Sequence, residues 1–198
     1  MRDESDRERW DRKYAVREGP AHFRPRPLLT EHVQLLGGGR ALDAACGFGG
    51  NALYLASLGY RVDAVDISGV ALVQAQAEAA RRGLPINFFQ ADLSRWWVQP
   101  ARYDLIVTFF FLNRELMPDL AAGLRHGGLL FQANRNTRYL AVQPDFNPAF
   151  LVKPGELRQL AEDSGLEIRF YTDGTPDKPN TSQIIAQRPV RRLPKGPL

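Results

Sequence analysis

The chain has 198 residues, 44% of them hydrophobic, which is length and apolar content for one domain with its own core. Its formal charge is +4, but residues 188–198 hold Arg188, Arg191, Arg192 and Lys195 and no acid; 26 basic residues less these four leaves 22 against 22 acids, so the body is neutral and nucleic acid is not an expected partner. No apolar run reaches the roughly 18 residues of a membrane span, no apolar signal segment follows the charged start MRDESDRERWDRKY, and the single Cys46 suits a reducing cytoplasm.

Residues 1–39 read as N-terminal helices and a lid, 40–190 as the main domain, and 191–198 as a basic Pro-rich tail. Residues 5–14 can form a mixed-charge helix that sets Trp10 and Tyr14 four apart on one face, either anchored on the core or covering a ligand. Residues 19–27, with three prolines, form a loop. Residues 28–36 are expected as a helix with Leu29, Val33 and Leu36 as its apolar stripe, ended by Gly37-Gly38-Gly39. A strand at 41–45, a helix at 51–58 and a strand at Arg61–Asp66 follow. Ser68 is placed to cap a helix over 70–82 that stops at Gly83. Then come a buried strand at 86–89, a strand at 103–108, a helix at 114–124 and a strand at 129–133. The connection 134–150 is long, polar and aromatic, and long loops inside compact domains are usually functional. A helix at 154–164 and strands at 166–171 and 183–187 close the chain. Alternating strands and helices with two adjacent strands last predict an α/β, doubly wound, mostly parallel sheet with the last strand antiparallel.

The stretch 41–68, ALDAACGFGGNALYLASLGYRVDAVDIS, is strand, glycine turn, helix and strand. Gly47, Gly49 and Gly50 bring backbone N–H groups close to a ligand at a helix N-terminus. Asp66, ending the second strand, is placed to accept from two ribose hydroxyls. Gly47-Phe48-Gly49-Gly50-Asn51-Ala52 fits a dinucleotide fingerprint loosely, and the distance to Asp66 fits too. Asp43 argues against a dinucleotide: an acid four residues before the turn repels a pyrophosphate and welcomes a cation.

The pattern Asp43-x-Ala45-x-Gly47-x-Gly49 resembles the first motif of class I S-adenosylmethionine-dependent methyltransferases, with Ala45 where that family normally has Gly. The resemblance runs over roughly 40–187 and includes AVDIS (64–68), QADL (90–93), YDLIV (103–107) and LRHGGLLF (124–131). It implies a Rossmann-like seven-stranded sheet and S-adenosyl-L-methionine as cofactor. In that fold Asp66 takes the ribose hydroxyls, Asp92 the adenine amino group, and Phe109 lies near the adenine or methionine moiety. Asp43, Ala45, Gly47, Gly49, Asn51, Ile67, Ala91, Leu93 and Thr108 complete the implied cofactor contacts, with Trp10 and Tyr14 over the cofactor. NALYLASLGYRVDAVDIS, FFLNRELMP and NPAFLVKPGELRQL further resemble the tellurite-resistance and thiopurine-methyltransferase-like branch, whose members are thought to methylate soft or small acceptors. Gly50, where many relatives carry Arg, and His126, where they usually carry Pro, depart from that branch.

The expected reaction is therefore methyl transfer to a small-molecule acceptor, including a soft sulfur, selenium or tellurium nucleophile. A non-catalytic nucleoside-binding regulator and an NAD-binding oxidoreductase are the alternatives. Arg114, Arg135 and Tyr139 are the acceptor-site candidates; a salt bridge to Glu115 or Asp119 would instead occupy Arg114, and a solvated basic loop would account for Arg135 and Arg138. Cys46 lacks a base partner and reads as packing. His22, His32 and His126 share no metal spacing, so no metal is expected. Trp96 and Trp97 are read as a short helix after Asp92 that packs at the core and rim.

Overall fold

The computed structural model describes residues 5–16 and 23–190. Residues 19–22 of the proline loop, His22 among them, and Arg191, Arg192 and Lys195 lie outside the described residues.

Helix α1 (Asp6–Ala15) starts in a capping box: the Ser5 hydroxyl accepts from Glu8 N at 3.3 Å and the Glu8 carboxylate accepts from Ser5 N at 3.0 Å. Helix α2 (Pro27–Glu31) is shorter than expected. At His32 the backbone leaves helical angles (φ −117°), its Nδ1 engages the Leu28 carbonyl at 3.1 Å, and its ring lies 4.9 Å from Phe170. Only a 3-10 turn, Val33–Leu35, follows, so Leu28 and Leu29 are the buried pair and Val33 is exposed.

Seven strands, β1 (Arg40–Ala44), β2 (Arg61–Asp66), β3 (Ile86–Gln90), β4 (Tyr103–Phe109), β5 (Leu124–Arg135), β6 (Glu167–Thr172) and β7 (Thr181–Gln187), form one sheet in the order β3-β2-β1-β4-β5-β7-β6. All pairings from β3 to β5 are parallel, and β7 runs antiparallel to both its neighbours. The Rossmann-like doubly wound α/β sheet with an antiparallel last strand is therefore present. Helices α3 (Gly50–Ser57) and α4 (Gly69–Arg82) cover one face with α2, burying Leu28, Leu29, Ala52, Leu55 and Leu72 against Val62, Val107 and Phe131. Helices α5 (Met117–Gly123) and α6 (Glu156–Asp163) cover the other, burying Met117, Leu120, Leu157 and Ala161 against Leu42, Ile106, Leu130 and Ile184. Two covered faces explain why β1 and β4 are mostly apolar rather than alternating, with Asp43 the exception inside β1.

Four other expectations need correction. Strand β3 is not buried: it is an outer strand, with Phe89 41% exposed. Residues 114–116 are not helical, because α5 begins at Met117 with Pro118 in its first turn. Trp96 and Trp97 follow a turn rather than forming a helix; Trp96 packs on the core 6.1 Å from Phe89, whereas Trp97 is exposed. Strand β5 begins before the glycine pair, since Leu124 already pairs with Tyr103 across a register shift.

At the N-terminal end of the sheet, Asp63 is 1% exposed and fully partnered. It accepts from Arg40 Nε (3.1 Å) and Nη2 (3.0 Å), Asn87 Nδ2 (2.8 Å), Tyr103 Oη (3.1 Å) and Arg102 Nη2 (3.3 Å). Burial opposes its charge, but Asn87 and Arg40 outweigh that and hold its carboxyl below the usual range. The same carboxylate and burial push the Tyr103 phenol up to about 12. Asp63→Ala should cost about 3–5 kcal/mol, because two cations lose their buried partner. Because the native pKa is depressed, the Asp63 contribution is complete above the unfolded value near 4 and fades as pH falls through the native one. Urea midpoints of both proteins from pH 7 to pH 2 should therefore converge in acid; a constant gap would contradict this.

Candidate functional site: a glycine turn between two carboxylates

The carboxyl ends of β1, β2 and β4 meet at the turn between β1 and α3. Ala45 takes φ +59°, followed by Gly47 at +53° and Gly49 at +74°. A left-handed alanine costs about 1–2 kcal/mol, so Ala45 bears strain that a glycine would not. A Cβ at Gly47 would lie 2.7 Å from the Tyr14 hydroxyl, so α1 passes directly over the turn. A Cβ at Gly50 would lie 2.4 Å from the Arg24 carbonyl, which explains why this position carries no side chain: the 23–26 segment rests on it.

Asp43 stands below the turn, 1% exposed. Its Oδ2 accepts from Ala52 N at 2.9 Å, and its Oδ1 has no partner. Burial pushes its pKa up to about 7; the Ala52 N–H pulls it back, and Asp66 raises it further. Asp66, 5% exposed, accepts from Gly47 N at 2.7 Å and Ser68 N at 2.9 Å. Burial raises its pKa too, against the pull of those N–H groups. Two carboxylates thus flank one glycine turn, and a cationic ligand would relieve both.

The N-terminal helix reaches this site through three side chains. Trp10 stacks on Tyr14 (5.7 Å) and Tyr14 meets Phe48 edge-on (4.8 Å). Asp11, which sequence reasoning missed, accepts from Ser68 Oγ at 2.5 Å and Val70 N at 3.2 Å, capping α4 from outside. Its signal was available in its place beside Trp10, on a helix already suspected of covering a ligand.

The other expected residues are placed as follows. The Asn51 carbonyl oxygen accepts from Arg26 N at 2.8 Å and pins the 23–26 segment. Ile67 offers its carbonyl to Gln90, and Ala91 N donates to the Asp66 carbonyl at 3.0 Å. Asp92 Oδ1 accepts from Ser94 N and Oγ at 2.9 and 2.8 Å. Leu93 is core and borders a hollow of about 220 Å³ with Trp96, Asn113 and Glu115. Thr108 and Phe109 end β4, buried, and the Thr108 hydroxyl has no partner. Arg114 is committed neither to Glu115 nor to Asp119: it grips Glu156 at 2.5 Å and the carbonyls of Ala149 and Leu151 at 3.0 Å, far along the chain, bracing that loop. Arg135 lies over Phe110 (5.0 Å) and Tyr139 (4.4 Å) and donates to Asn180 Oδ1 and Thr181 Oγ1. Cys46 is buried with its thiol pKa pushed up by that burial, which suits packing. His126 engages the Pro189 carbonyl at 2.9 Å, at the far end of the sheet. Among the described residues no group of three or more His, Cys, Asp or Glu could hold a metal, and no helix is long and apolar enough to cross a membrane.

A doubly wound sheet with a glycine turn and an acid ending the second strand defines a nucleoside-binding α/β protein. Comparison narrows the class. Residues 41–128 match a family described as a methyltransferase domain. By sequence the chain is 35% identical over 144 residues to Hemagglutinin 1 of Eikenella corrodens, covering 68% of this chain and 47% of that protein. It is 27% identical over 165 residues to a 2-heptyl-1-hydroxyquinolin-4(1H)-one methyltransferase of Mycobacteroides abscessus, covering 75% and 70%. It is 29% identical over 100 residues to the probable S-adenosyl-L-methionine-dependent methyltransferase TehB of Haemophilus influenzae, covering 49% and 35%. The crystal structure of TehB from that organism superposes with a TM-score of 0.67 at 18% identity, covering 92% of this chain and 66% of that one. The chain thus spans 47%, 70% and 35% of the length of these three curated relatives. Residues 41–128 thus resemble a methyltransferase domain, a class whose cofactor is S-adenosylmethionine.

The cofactor of that class fits the residues present: the unpartnered Asp43 oxygen, beside Asp66, calls for a cation. Two outcomes test the local physics. Ala45→Gly should stabilise the free protein by about 0.5–1 kcal/mol, the relieved strain exceeding the added unfolded-state entropy. Because the native pKa of Asp43 is raised, its protonation stabilises the free protein fully below the unfolded pKa near 4, and that contribution is lost as pH rises through about 7. Thermal melts of Asp43→Asn should lack this fall between pH 4 and pH 7; a parallel profile would show that Asp43 does not titrate there.

Proposed function

We propose that the protein transfers a methyl group from S-adenosylmethionine to a small-molecule acceptor, binding the cofactor at the glycine turn. The unpartnered buried oxygen of Asp43, lying beside a second carboxylate, Asp66, carries this reading. The bound cofactor supplies a sulfonium-activated methyl group. In the proposal Asp43 holds the positive charge near the turn and Asp66 takes the ribose hydroxyls. Gly47 and Gly49 allow close approach, and Ala45 shapes the turn. Ile67, Ala91, Asp92 and Leu93 border the adenine, with the second Asp92 oxygen available to its amino group, and Thr108 and Phe109 line the methionine end. Asn51 acts indirectly, through the segment it pins.

Positioning is then the main contribution to rate, since the methyl group is already activated. A soft sulfur, selenium or tellurium nucleophile needs little proton removal, in keeping with the tellurite-resistance-like features of the sequence. Calorimetry should show saturable binding of S-adenosylmethionine and S-adenosylhomocysteine. Tight NAD binding with neither would favour the oxidoreductase; cofactor binding without turnover on any acceptor would favour the regulator. Asp66→Ala should weaken cofactor binding by about 1.5–3 kcal/mol, the range for hydrogen bonds to a charged group; a folded mutant with unchanged affinity would remove Asp66 from the site.

Helix α1 is proposed as the lid. It meets the body through Asp11 on α4, Tyr14 on the turn and Arg9 on Phe150, and it buries none of its own residues fully. Such an element belongs to the low-stability end of a structure and can open for product release. Deleting residues 1–18 should leave the sheet folded, weaken cofactor binding and abolish turnover. Hydrogen exchange over 6–15 should slow when cofactor is added; equal protection with and without it would mark a fixed structural helix.

A further inference from the structure

We propose that Phe110, Arg135 and Tyr139 form a recognition site for a flat aromatic anion, and that this sets the class of methyl acceptor. The inference rests on the methyltransferase reading for its consequence, but its evidence lies in a separate group of residues.

Phe110 is the first residue after β4 and adopts φ +59°. A bulky side chain in that region is a conformational outlier, tolerated where the surroundings enforce it. Here the Phe110 N–H donates to the Ala133 carbonyl at 2.7 Å and fixes the turn. The result is a ring 37% exposed, next to a Phe109 that is 8% exposed. Strand β4 adjoins β1, with Thr108 opposite Ala44, so the exposed ring emerges beside the glycine turn. Strain is spent on turning an aromatic face outward at the end of the sheet where the cofactor is proposed to bind.

Arg135 ends β5, the neighbour of β4. Its guanidinium carbon lies 5.0 Å from the centre of the Phe110 ring and 4.4 Å from that of Tyr139, within cation–π reach of both. Its Nη1 donates to Asn180 Oδ1 at 3.2 Å and Thr181 Oγ1 at 3.3 Å, both neutral. No carboxylate of the described residues forms an ion pair with it. Nε and Nη2 make no hydrogen bond to the described residues, and together they are the edge that grips an anion bidentately. Arg26 brings a second positive charge to 4.8 Å from the Phe110 ring. Arg114 shows the contrast: its charge is matched by Glu156 and its remaining donors by carbonyls, so it braces a loop and offers nothing to an anion.

A ligand suited to these groups has an aromatic ring to lie against Phe110 and an anionic oxygen group for Arg135. An inorganic oxyanion would satisfy the arginine and leave the exposed ring without a purpose. A neutral aromatic would cover the ring and bury part of the guanidinium without compensating its charge.

The test is calorimetry on the full chain, with and without S-adenosylhomocysteine, using four probes: salicylate, cyclohexanecarboxylate, benzamide and selenite. Salicylate should bind saturably, and the saturated acid, the neutral aromatic and the inorganic oxyanion should each bind at least about tenfold more weakly. Arg135→Gln should weaken salicylate at least about tenfold, the loss expected for a charge-assisted hydrogen bond, and Phe110→Leu severalfold, with homocysteine-cofactor affinity unchanged in both. Arg135→Lys, which keeps the charge and loses the fork, should fall between wild type and Arg135→Gln. Selenite binding as tightly as salicylate, equal binding of salicylate and cyclohexanecarboxylate, or salicylate affinity unchanged in Arg135→Gln would each overturn the proposal. Failure of S-adenosylhomocysteine to bind would count against the methyltransferase reading alone, because the probe series is also run without it.

Discussion

The site depends on one uncomfortable interaction: a carboxylate, Asp43, placed inside a central strand with one oxygen satisfied and the other bare. Burying such a group costs free energy, and the sheet tolerates it by raising its pKa and by giving it one free N–H of the first turn of α3, that of Ala52. The strained turn at Ala45 follows from the same demand, since the chain must reverse immediately above Asp43 to bring the helix N-terminus over it. Asp66 pins the turn by accepting from Gly47 N and Ser68 N and adds a second negative charge across it. A cation at this point would relieve both groups together, so the architecture trades stability of the free protein for affinity.

The two ends of the sheet show how differently nature can bury an acid. Asp63, at the N-terminal end, is surrounded by Arg40, Arg102, Asn87 and Tyr103 and is held ionised. Asp43, at the other end, is left wanting. A buried charge with complete partners belongs to the scaffold; a buried charge without them marks a place where something else binds. The same contrast separates Arg114, locked by Glu156, from Arg135, which rests on aromatic rings.

Much of this was legible in the sequence because local signals and the global fold agree. The strand-turn-helix from β1 to α3, the Ser68 cap and the closing hairpin are set by glycine spacing, apolar runs and cap chemistry within a few residues of one another. Errors arose where distant contacts decide. Helix α2 stops at His32, whose ring packs on Phe170, remote in sequence, and β3 is exposed because of its position at the sheet edge, which its apolar composition cannot reveal. The partner of Arg114 lies 42 residues away, beyond any pairing rule based on helical spacing. Asp43, Asp66 and the glycines could be read from one stretch and Arg135 was legible as an acceptor candidate, whereas the reach of Asp11 to Ser68 and the outward turn of Phe110 required the fold. Phe110 in particular sits in a run of three phenylalanines, and only backbone geometry distinguishes the ring turned outward.

The central claim is that Asp43 awaits a positive charge, and the most direct measurement is its own titration. Carbon-detected NMR of the Asp43 carboxyl, followed against pH in the free protein and with saturating S-adenosylmethionine, reads it without reference to turnover. The account predicts a midpoint near 7 in the free protein that falls by at least about one unit when the sulfonium cofactor binds. A midpoint that does not move on saturation, or one already in the ordinary carboxylate range before the cofactor is added, would contradict it.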